Sequence, residues 1–166
     1  ELAPNHYVAN YFLAMMAEAD EDTALAINYY EAALKQYARV EPGRNNIYFK
    51  LVEMHDALGA SEKSLDVLRR HTVNNNKNFA GFVKYGDRLI EFKKPEDAAK
   101  ALLEANHIYP FDFDVHQKLA ILLVELEDFV GAEREYKVGL ELQPRNKEAL
   151  MGLYKLYLKQ SDSVKA

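Results

Sequence analysis

The chain has 166 residues, of which 49% are hydrophobic, and it carries 21 Lys plus Arg against 26 Asp plus Glu, for a formal net charge of −5. This acidic balance argues against nucleic-acid binding, which depends on a cationic surface. No apolar run approaches the roughly 20 residues of a membrane span, and the lack of Cys excludes disulfides and thiolate metal sites. We expect a soluble protein with a hydrophobic core, either cytoplasmic or in a bacterial periplasm.

The clearest pattern is a repeat with a period of about 34 residues, which separates Asn76, Pro110 and Pro144. Apolar and small residues recur at matching offsets, and their spacing of three, four or seven places them on one face of a helix. The first helix of a unit carries Leu51, Tyr85, Leu119 and Leu153 in one slot and Val52, Gly86, Ala120 and Tyr154 in the next. Each unit therefore predicts a pair of packed helices.

Helix-start signals such as Asp, Ser and a first-turn Pro separate the two helices of each unit. The predicted helices cover approximately residues 4–19, 23–40, 45–58, 61–73, 79–92, 95–108, 113–126, 129–142 and 146–159, and residues 161–166 are predicted to start a tenth. The first unit is longer than the repeat period by four residues, which lie between Leu34 and Pro42. We assign them to one extra turn of the second helix, since an α-helix turn contains about 3.6 residues.

This pattern resembles the tetratricopeptide repeat (TPR), a helix-turn-helix unit with small residues in both helices and a closing Pro. The best match is DFDVHQKLAILLVELEDFVGAEREYKVGLELQPRN, and the weakest unit contains Ser64, His71 and Asn76 in place of small residues and Pro. The resemblance implies an all-α fold, a right-handed α-solenoid of stacked antiparallel helix pairs. We expect a single domain over 1–166, with repeats at about 7–44, 45–78, 79–112, 113–146 and, truncated, 147–166. The polar stretch 71–79 is its weakest predicted joint.

The resemblance also implies a peptide-binding groove on the concave face, lined by the first helix of each unit. The predicted groove residues are Tyr11, Met15, Glu18, Phe49, Lys50, Glu53, Asp56, Val83, Lys84, Asp87, Glu91, Gln117, Lys118, Ile121 and Glu125. The Lys-Asn-Arg clamp by which chaperone-binding members hold a terminal carboxylate is missing, because its first Lys slot contains Tyr11, Phe49, Val83, Gln117 and Met151.

Two features of this groove have alternative interpretations. Lys50, Lys84 and Lys118 recur at the repeat period, which indicates either a row that binds an acidic or C-terminal peptide, or solvated ion pairs with Glu53 and Asp87. Such helical pairs contribute only about 0.2–0.5 kcal/mol. The apolar groove residues form either a trough for a partner segment or part of the packing between units.

Neither catalysis nor a cofactor is predicted. His6, His55, His71, His107 and His116 are scattered, and no HExxH spacing places two of them beside a carboxylate. We therefore predict no metal, and we expect His55 and His71 to form a hydrogen-bonded pair in the core. No Gly-rich phosphate loop is present, and Gly86 and Gly139 are interpreted as packing residues at close helix contacts.

The C-terminal edge predicts a second interaction surface. Residues Leu153, Tyr154 and Tyr157 belong to framework slots, but the second helix of their unit is barely begun. This exposed edge indicates self-association or a continuation of the array. The leading functional hypothesis is a non-catalytic scaffold that binds a protein or peptide. The alternative is an accessory region of a larger enzyme, for example a peptidase, or of a secretion machine, with the catalytic part outside this chain.

Overall fold

The structure, a computed structural model, describes residues 6–39 and 46–163, with side chains to residue 160. All regular secondary structure in these ranges is helical, which confirms the all-α prediction. The helices are α1 (Tyr7–Ala19), α2 (Thr23–Gln36), α3 (Ile47–Ala57), α4 (Ser61–Asn74), α5 (Phe79–Glu91), α6 (Pro95–Ile108), α7 (Phe113–Glu125), α8 (Phe129–Leu142) and α9 (Lys147–Ser163). Within the described part of the chain, no helix is both long and apolar enough to cross a membrane.

The helices group into two compact units. The first unit, Glu1–Lys77, contains α1 to α4, and the second unit, Asn78–Ala166, contains α5 to α9. Their boundary lies within the polar stretch 71–79. In both units consecutive helices pack as antiparallel pairs, α1 with α2, α3 with α4, α5 with α6 and α7 with α8. We call the first member of each pair an A helix and the second a B helix, and α9 is a further A helix.

An Asn or Asp side chain caps the N-terminus of every A helix from α3 onward. The side-chain oxygens of Asn46, Asn78, Asp112 and Asn146 accept hydrogen bonds from Tyr48 N, Gly81 N, Val115 N and Ala149 N at 2.8–3.0 Å. Each bond satisfies one backbone donor that the first helical turn leaves without a partner. The caps therefore fix where the A helices begin.

The turn from the A helix to the B helix has one conformation in all four pairs. Its left-handed residue is Glu21 (φ 60°), Gly59 (φ 68°), Lys93 (φ 54°) or Glu127 (φ 62°). The next backbone N–H reaches back five residues, as from Asp128 N to Leu123 O at 2.8 Å. This is a Schellman motif, which satisfies carbonyls at the helix end and reverses the chain within two residues.

Small residues allow the two helices of a pair to approach closely. The core of the first unit includes Ala14, Ala26 and Tyr30, each with no exposed surface. In the second unit, a methyl group added to Gly86 would lie 2.8 Å from Leu102 Cδ2. A core cluster around α7, α8 and α9 consists of Ala120, Leu123, Ala132, Tyr136, Ala149 and Leu156.

The predicted extra turn of the second helix is wrong. Helix α2 ends at Gln36 and has 14 residues, as many as α4, α6 and α8. Tyr37 is extended, with its ring 5.8 Å from that of Tyr7, and Tyr48 Oη donates a hydrogen bond to Ala38 O at 2.8 Å. These contacts keep Tyr37 and Ala38 in a non-helical conformation, so that α2 ends at Gln36. Residues 40–45, including Pro42, lie outside the described residues, as do 4 and 5 at the predicted start of α1.

The predicted break before a tenth helix is also wrong. Helix α9 continues without a turn to Ser163, past Ser161, which lies one repeat period after the left-handed Glu127. Tyr154 occupies in α9 the slot that Gly86 and Ala120 fill in α5 and α7. Residues 164–166 lie outside the described residues.

Gly139 differs from the sequence prediction, which placed it at a close helix contact. A methyl group at Gly139 would lie 3.5 Å from Phe113 Cε2, an ordinary contact, so this position has room for a side chain. The close contact is instead at Gly152, where the added carbon would lie 2.5 Å from Tyr136 Cζ. Gly152 thus allows the Tyr136 ring to lie against α9.

These contacts predict opposite effects of the same substitution. Gly152→Ala should reduce the free energy of unfolding by about 1–3 kcal/mol, because the methyl group forces the Tyr136 ring out of place. Gly139→Ala should increase it by up to about 1 kcal/mol, because Ala has the higher helix propensity. Urea unfolding followed by circular dichroism measures both, and a loss of equal size in the two variants would contradict the assignment.

Candidate functional site

In the first unit, the predicted groove residues Glu18 and Lys50 are engaged with each other. Lys50 Nζ donates to both carboxylate oxygens of Glu18, at 2.8 and 2.6 Å, and joins α3 to α1. The same ammonium group lies 5.6 Å from the centre of the Tyr30 ring, a cation–π distance. Lys50 therefore links two A helices, and its charge is largely compensated.

Two aromatic residues predicted for the groove contribute to packing instead. Tyr11 is half-buried, and its ring centre lies 6.0 Å from that of Tyr30. Phe49 is half-buried with its ring 5.0 Å from the buried imidazole of His71. The first unit leaves Met15 and Glu53 exposed and Asp56 half-buried. The packing interpretation therefore applies to Tyr11 and Phe49.

In the second unit, an equivalent ion pair joins α5 to α7. Lys118 Nζ donates to Asp87 Oδ1 at 2.5 Å, and both side chains are partly exposed. The donor lies 31 residues after its acceptor, and Lys50 lies 32 residues after Glu18. Both lysines thus bond to an acidic residue of the preceding A helix, a contact that the sequence analysis did not predict.

The same face of the second unit has an apolar centre with a charged border. Ile121 is 52% exposed and offers an apolar side chain at the surface of α7. Val83 on α5 and Gln117 on α7 occupy the same position of the repeat, and both are half-buried. Each lies before the ion-pair residue of its own helix, Asp87 or Lys118. Around this centre lie the exposed residues Lys84, Glu91 and Glu125. This face combines an apolar contact with charges of both signs, the usual composition of a peptide-binding surface.

Three comparisons relate the chain to known proteins. No family model matches it. It is 28% identical to the human protein O-mannosyl-transferase TMTC3 over 138 residues. This alignment covers 80% of this chain and 15% of that protein. The mouse TMTC3 is 28% identical over 117 residues, covering 70% of this chain and 13% of that protein. The chain thus spans a small part of the length of these relatives.

Solved structures resemble it over most of its length. The TPR protein YrrB, described with an unusual peptide-binding site, superimposes with a TM-score of 0.71 at 14% identity, covering 95% of this chain and 79% of that one. MamA gives 0.67 at 17% identity, covering 96% and 86%. The second TPR domain of human RPAP3, in complex with an HSP70 peptide, gives 0.58 at 17% identity, covering 66% and 92%.

The chain has the tetratricopeptide-repeat fold. The helix pairs, the small residues at their contacts and these superpositions agree with the resemblance seen in the sequence. At this level of sequence identity, the structural similarity establishes the TPR fold alone. The ligand must be inferred from the surface residues of this chain.

Two buried histidines lie in the TPR core of the first unit, but they do not form the predicted pair. His71 has no exposed surface, and its Nε2 lies 3.2 Å from Asn46 Nδ2. Because Asn46 Oδ1 already accepts from Tyr48 N, its amide group donates to His71. The Nδ1 atoms of His55 and His71 have no hydrogen-bond partner. Burial lowers the pKa of His71 to about 4, and burial, with a smaller contribution from Lys63, lowers that of His55.

The second unit contains a buried pair, His116 and Glu135, that the sequence analysis did not predict. His116 Nδ1 lies 2.7 Å from Glu135 Oε2, and Nε2 lies 3.0 Å from Pro110 O. Because both ring nitrogens are occupied, neither is positioned to act as a general base on a substrate. The two residues are 19 positions apart on different helices, so no helical spacing indicates the contact. Over the residues that the structure describes, no group of three or more His, Asp and Glu side chains is arranged to hold a metal ion.

The C-terminal edge of the TPR array is partly as the sequence predicts. Tyr154 and Tyr157 are exposed, whereas their counterparts Ala120 and Leu123 in α7 are buried under α8. The third predicted edge residue, Leu153, is half-buried and packs against the core cluster of α7, α8 and α9. The exposed edge therefore centres on the two tyrosines.

The environment of His71 predicts a loss of stability in mild acid. The unfolded chain binds a proton at His71 near pH 6.5, whereas the folded chain binds it only near pH 4. The stabilising contribution is present above pH 6.5 and is lost as the pH falls toward 4, by about 3 kcal/mol in total. We expect His71→Gln to remove this component of the pH dependence, as measured by denaturant unfolding between pH 7.5 and 4. His107→Gln, at an exposed position, is the control, and parallel pH profiles of His71→Gln and the original chain would contradict the prediction.

Proposed function

We propose that this chain is a non-catalytic scaffold whose second unit binds an extended peptide or protein segment across α5 and α7. The observation that carries the proposal is Ile121, an exposed apolar side chain beside the Asp87–Lys118 ion pair. An apolar ligand side chain placed on Ile121 would remove apolar surface from water at about 25 cal/mol per Å². The charges around it would set the direction of the bound segment.

The remaining groove residues have different parts in this proposal. Lys84 is exposed and suits a carboxylate of the ligand, while Gln117 offers an amide to its backbone. Glu125, at the end of α7, is exposed and suits a basic side chain, whereas Glu91, at the end of α5, already forms an ion pair with Arg88 at 3.4 Å. A row formed by Lys50, Lys84 and Lys118 is not required, because Lys50 and Lys118 already bond to carboxylates.

In the first unit, Met15, Glu53 and Asp56 form the accessible part of the predicted groove. We propose them as an additional contact surface, with Glu18, Lys50, Tyr11 and Phe49 as its support. YrrB and RPAP3 provide the precedent of peptide binding by the same fold. Because the Lys-Asn-Arg clamp is missing here, the proposed ligand differs from a chaperone tail. The net charge of −5 supports a protein ligand over a nucleic acid.

Selection from a displayed library of random dodecapeptides tests the proposed site. Peptides selected by the original chain are synthesised with a fluorophore, and fluorescence anisotropy measures their dissociation constants for each variant. Ile121→Asp should weaken binding at least about tenfold, because a buried carboxylate replaces the apolar contact. Lys84→Glu should weaken the binding of peptides that contain Asp or Glu and strengthen that of basic peptides.

Two exposed residues on the B helices of the same unit provide matched controls. Val130 is 80% exposed on α8, and Lys100 is exposed on α6. Val130→Asp and Lys100→Glu introduce the same changes of charge away from the α5–α7 face, so binding should stay within about twofold of the original. If the controls lose affinity and Ile121→Asp retains it, the site lies elsewhere.

A second candidate function is supported by the similarity to protein O-mannosyl-transferase TMTC3, since the chain matches only 15% of that protein. In a larger enzyme, this segment would hold the protein acceptor while a separate region transfers the mannosyl group. The test uses the full-length protein that contains this segment. There Ile121→Asp should raise the KM for a protein acceptor and leave kcat nearly unchanged, and an unchanged KM would exclude the accessory function.

We propose in addition that the chain self-associates through its C-terminal edge. The supporting observation is the exposure of Tyr154 and Tyr157 in slots that are buried in the other A helices of the second unit. Sedimentation velocity over a range of concentrations measures this directly, and a chain that remains monomeric at high micromolar concentration contradicts it.

A further inference from the structure

The first unit contains a cavity that is lined by both of its B helices. Its volume is about 520 Å³, which lies within the range of small-molecule sites. The lining includes Ile27 and Glu31 of α2, His55 of α3, and residues of α4 between Glu62 and Arg70. The proposed peptide site lies on A helices of the second unit, so this cavity is a separate feature of the molecule.

A network of ion pairs forms one wall of the cavity. Arg70 of α4 donates to both carboxylate oxygens of Glu31 on α2, at 2.8 and 2.6 Å. Its Nε atom lies 3.1 Å from Asp66 Oδ2, and Asp66 Oδ1 accepts from Arg69 Nη2 at 2.7 Å. The two carboxylates and the two guanidinium groups compensate each other. This wall therefore has no net charge to offer a ligand.

Two other charges of the lining are not compensated in this way. Glu62 and Lys63 lie in the first turn of α4, and both are exposed. Among the residues that the structure describes, neither has a salt-bridge partner. A ligand that complements the cavity therefore carries one anionic and one cationic group.

His55 supplies a buried polar group to the same cavity. It is 7% exposed, and its slot contains the buried Leu89 and Leu123 in the second unit, so the repeat fold does not require a polar ring here. Its Nδ1 atom is enclosed without a hydrogen-bond partner, which leaves only Nε2 to meet a ligand. Because a buried N–H without a partner is rarer than a buried acceptor without one, the neutral ring carries its proton on Nε2. His55 then offers a hydrogen-bond donor to the cavity.

The groups around the cavity match the parts of one kind of small molecule. Lys63 exerts the largest electrostatic effect on the pKa of His55, which it lowers, so its ammonium group lies near the ring. A carboxylate between them would accept from both donors. Glu62 would accept from an ammonium group, and the half-buried Ile27 offers apolar surface to an aliphatic side chain.

We propose that this cavity binds a small zwitterion of the aliphatic amino-acid class, with its carboxylate between Lys63 and His55 and its ammonium group at Glu62. The ion pair between Glu31 and Arg70 forms a fixed wall and makes no charged contact with the ligand. The inference is independent of the proposed peptide function, because it concerns other helices in the other unit.

NMR titration of the chain with leucine and two analogues tests the class of ligand. 4-Methylpentanoate lacks the ammonium group of leucine, and 3-methylbutylamine lacks its carboxylate. Leucine should bind, and each analogue should bind at least about tenfold more weakly, because a charged hydrogen bond is lost. An absence of leucine binding at millimolar concentrations would overturn the proposal. Equal affinities for leucine and 4-methylpentanoate would overturn the zwitterion as the ligand class.

Two substitutions test the location of the site. Lys63→Met and His55→Leu should each weaken leucine binding at least about tenfold, because each removes a donor to the carboxylate. His55→Leu introduces the residue that fills this slot in the second unit, so the chain should still fold, and circular dichroism verifies it. Lys100→Met, at an exposed position of α6 outside the cavity, is the control and should leave the affinity within about twofold.

The pKa of His55 gives a readout that a purely structural role of the ring would not change. Burial and Lys63 lower this pKa from 6.5 in the free chain. A carboxylate bound at Nε2 stabilises the imidazolium, so saturating leucine should raise the pKa, as followed by NMR of the imidazole protons. Leucine binding that leaves the pKa unchanged, or that persists in both Lys63→Met and His55→Leu, would place the ligand elsewhere and overturn the proposal.

Discussion

The close approach of two helices within each repeat is the constraint on which the other features depend. Ala14 and Ala26 are fully buried in the first pair, and Gly86 lies so close to Leu102 that even one added carbon would collide. Packing at this distance needs small side chains, a short reversal of the chain and a fixed start for each helix. The left-handed turn and the Asn or Asp caps meet the last two requirements, so helix packing and local backbone signals agree.

This packing divides the side chains of each A helix between two tasks. One face packs against the B helix, and the other carries ion pairs between successive A helices, as Glu18–Lys50 and Asp87–Lys118 show. These pairs are partly exposed, so each contributes modestly to stability. The second pair has a further effect, because it fixes the long side chain of Lys118 beside Ile121, at the border of the proposed peptide site.

Helix α9 carries a large residue where α5 and α7 carry small ones. Tyr154 occupies the slot that Gly86 and Ala120 fill, and α9 continues to Ser163 without a turn. Tyr154 and Tyr157 are exposed on this helix, and we assign the proposed self-association to them.

Sequence alone determined the repeat, the order of the helices and most of their boundaries, because apolar periodicity and helix-start residues are local signals. It also placed Ile121 among the residues of the A-helix face that we propose as a peptide site. Only the tertiary structure decided that Phe49 packs on His71, that Lys118 bonds to Asp87 of the preceding A helix, and that His116 meets Glu135. The partners of these side chains lie on other helices, at distances in the sequence that no helical period predicts, so their contacts depend on how the helices pack.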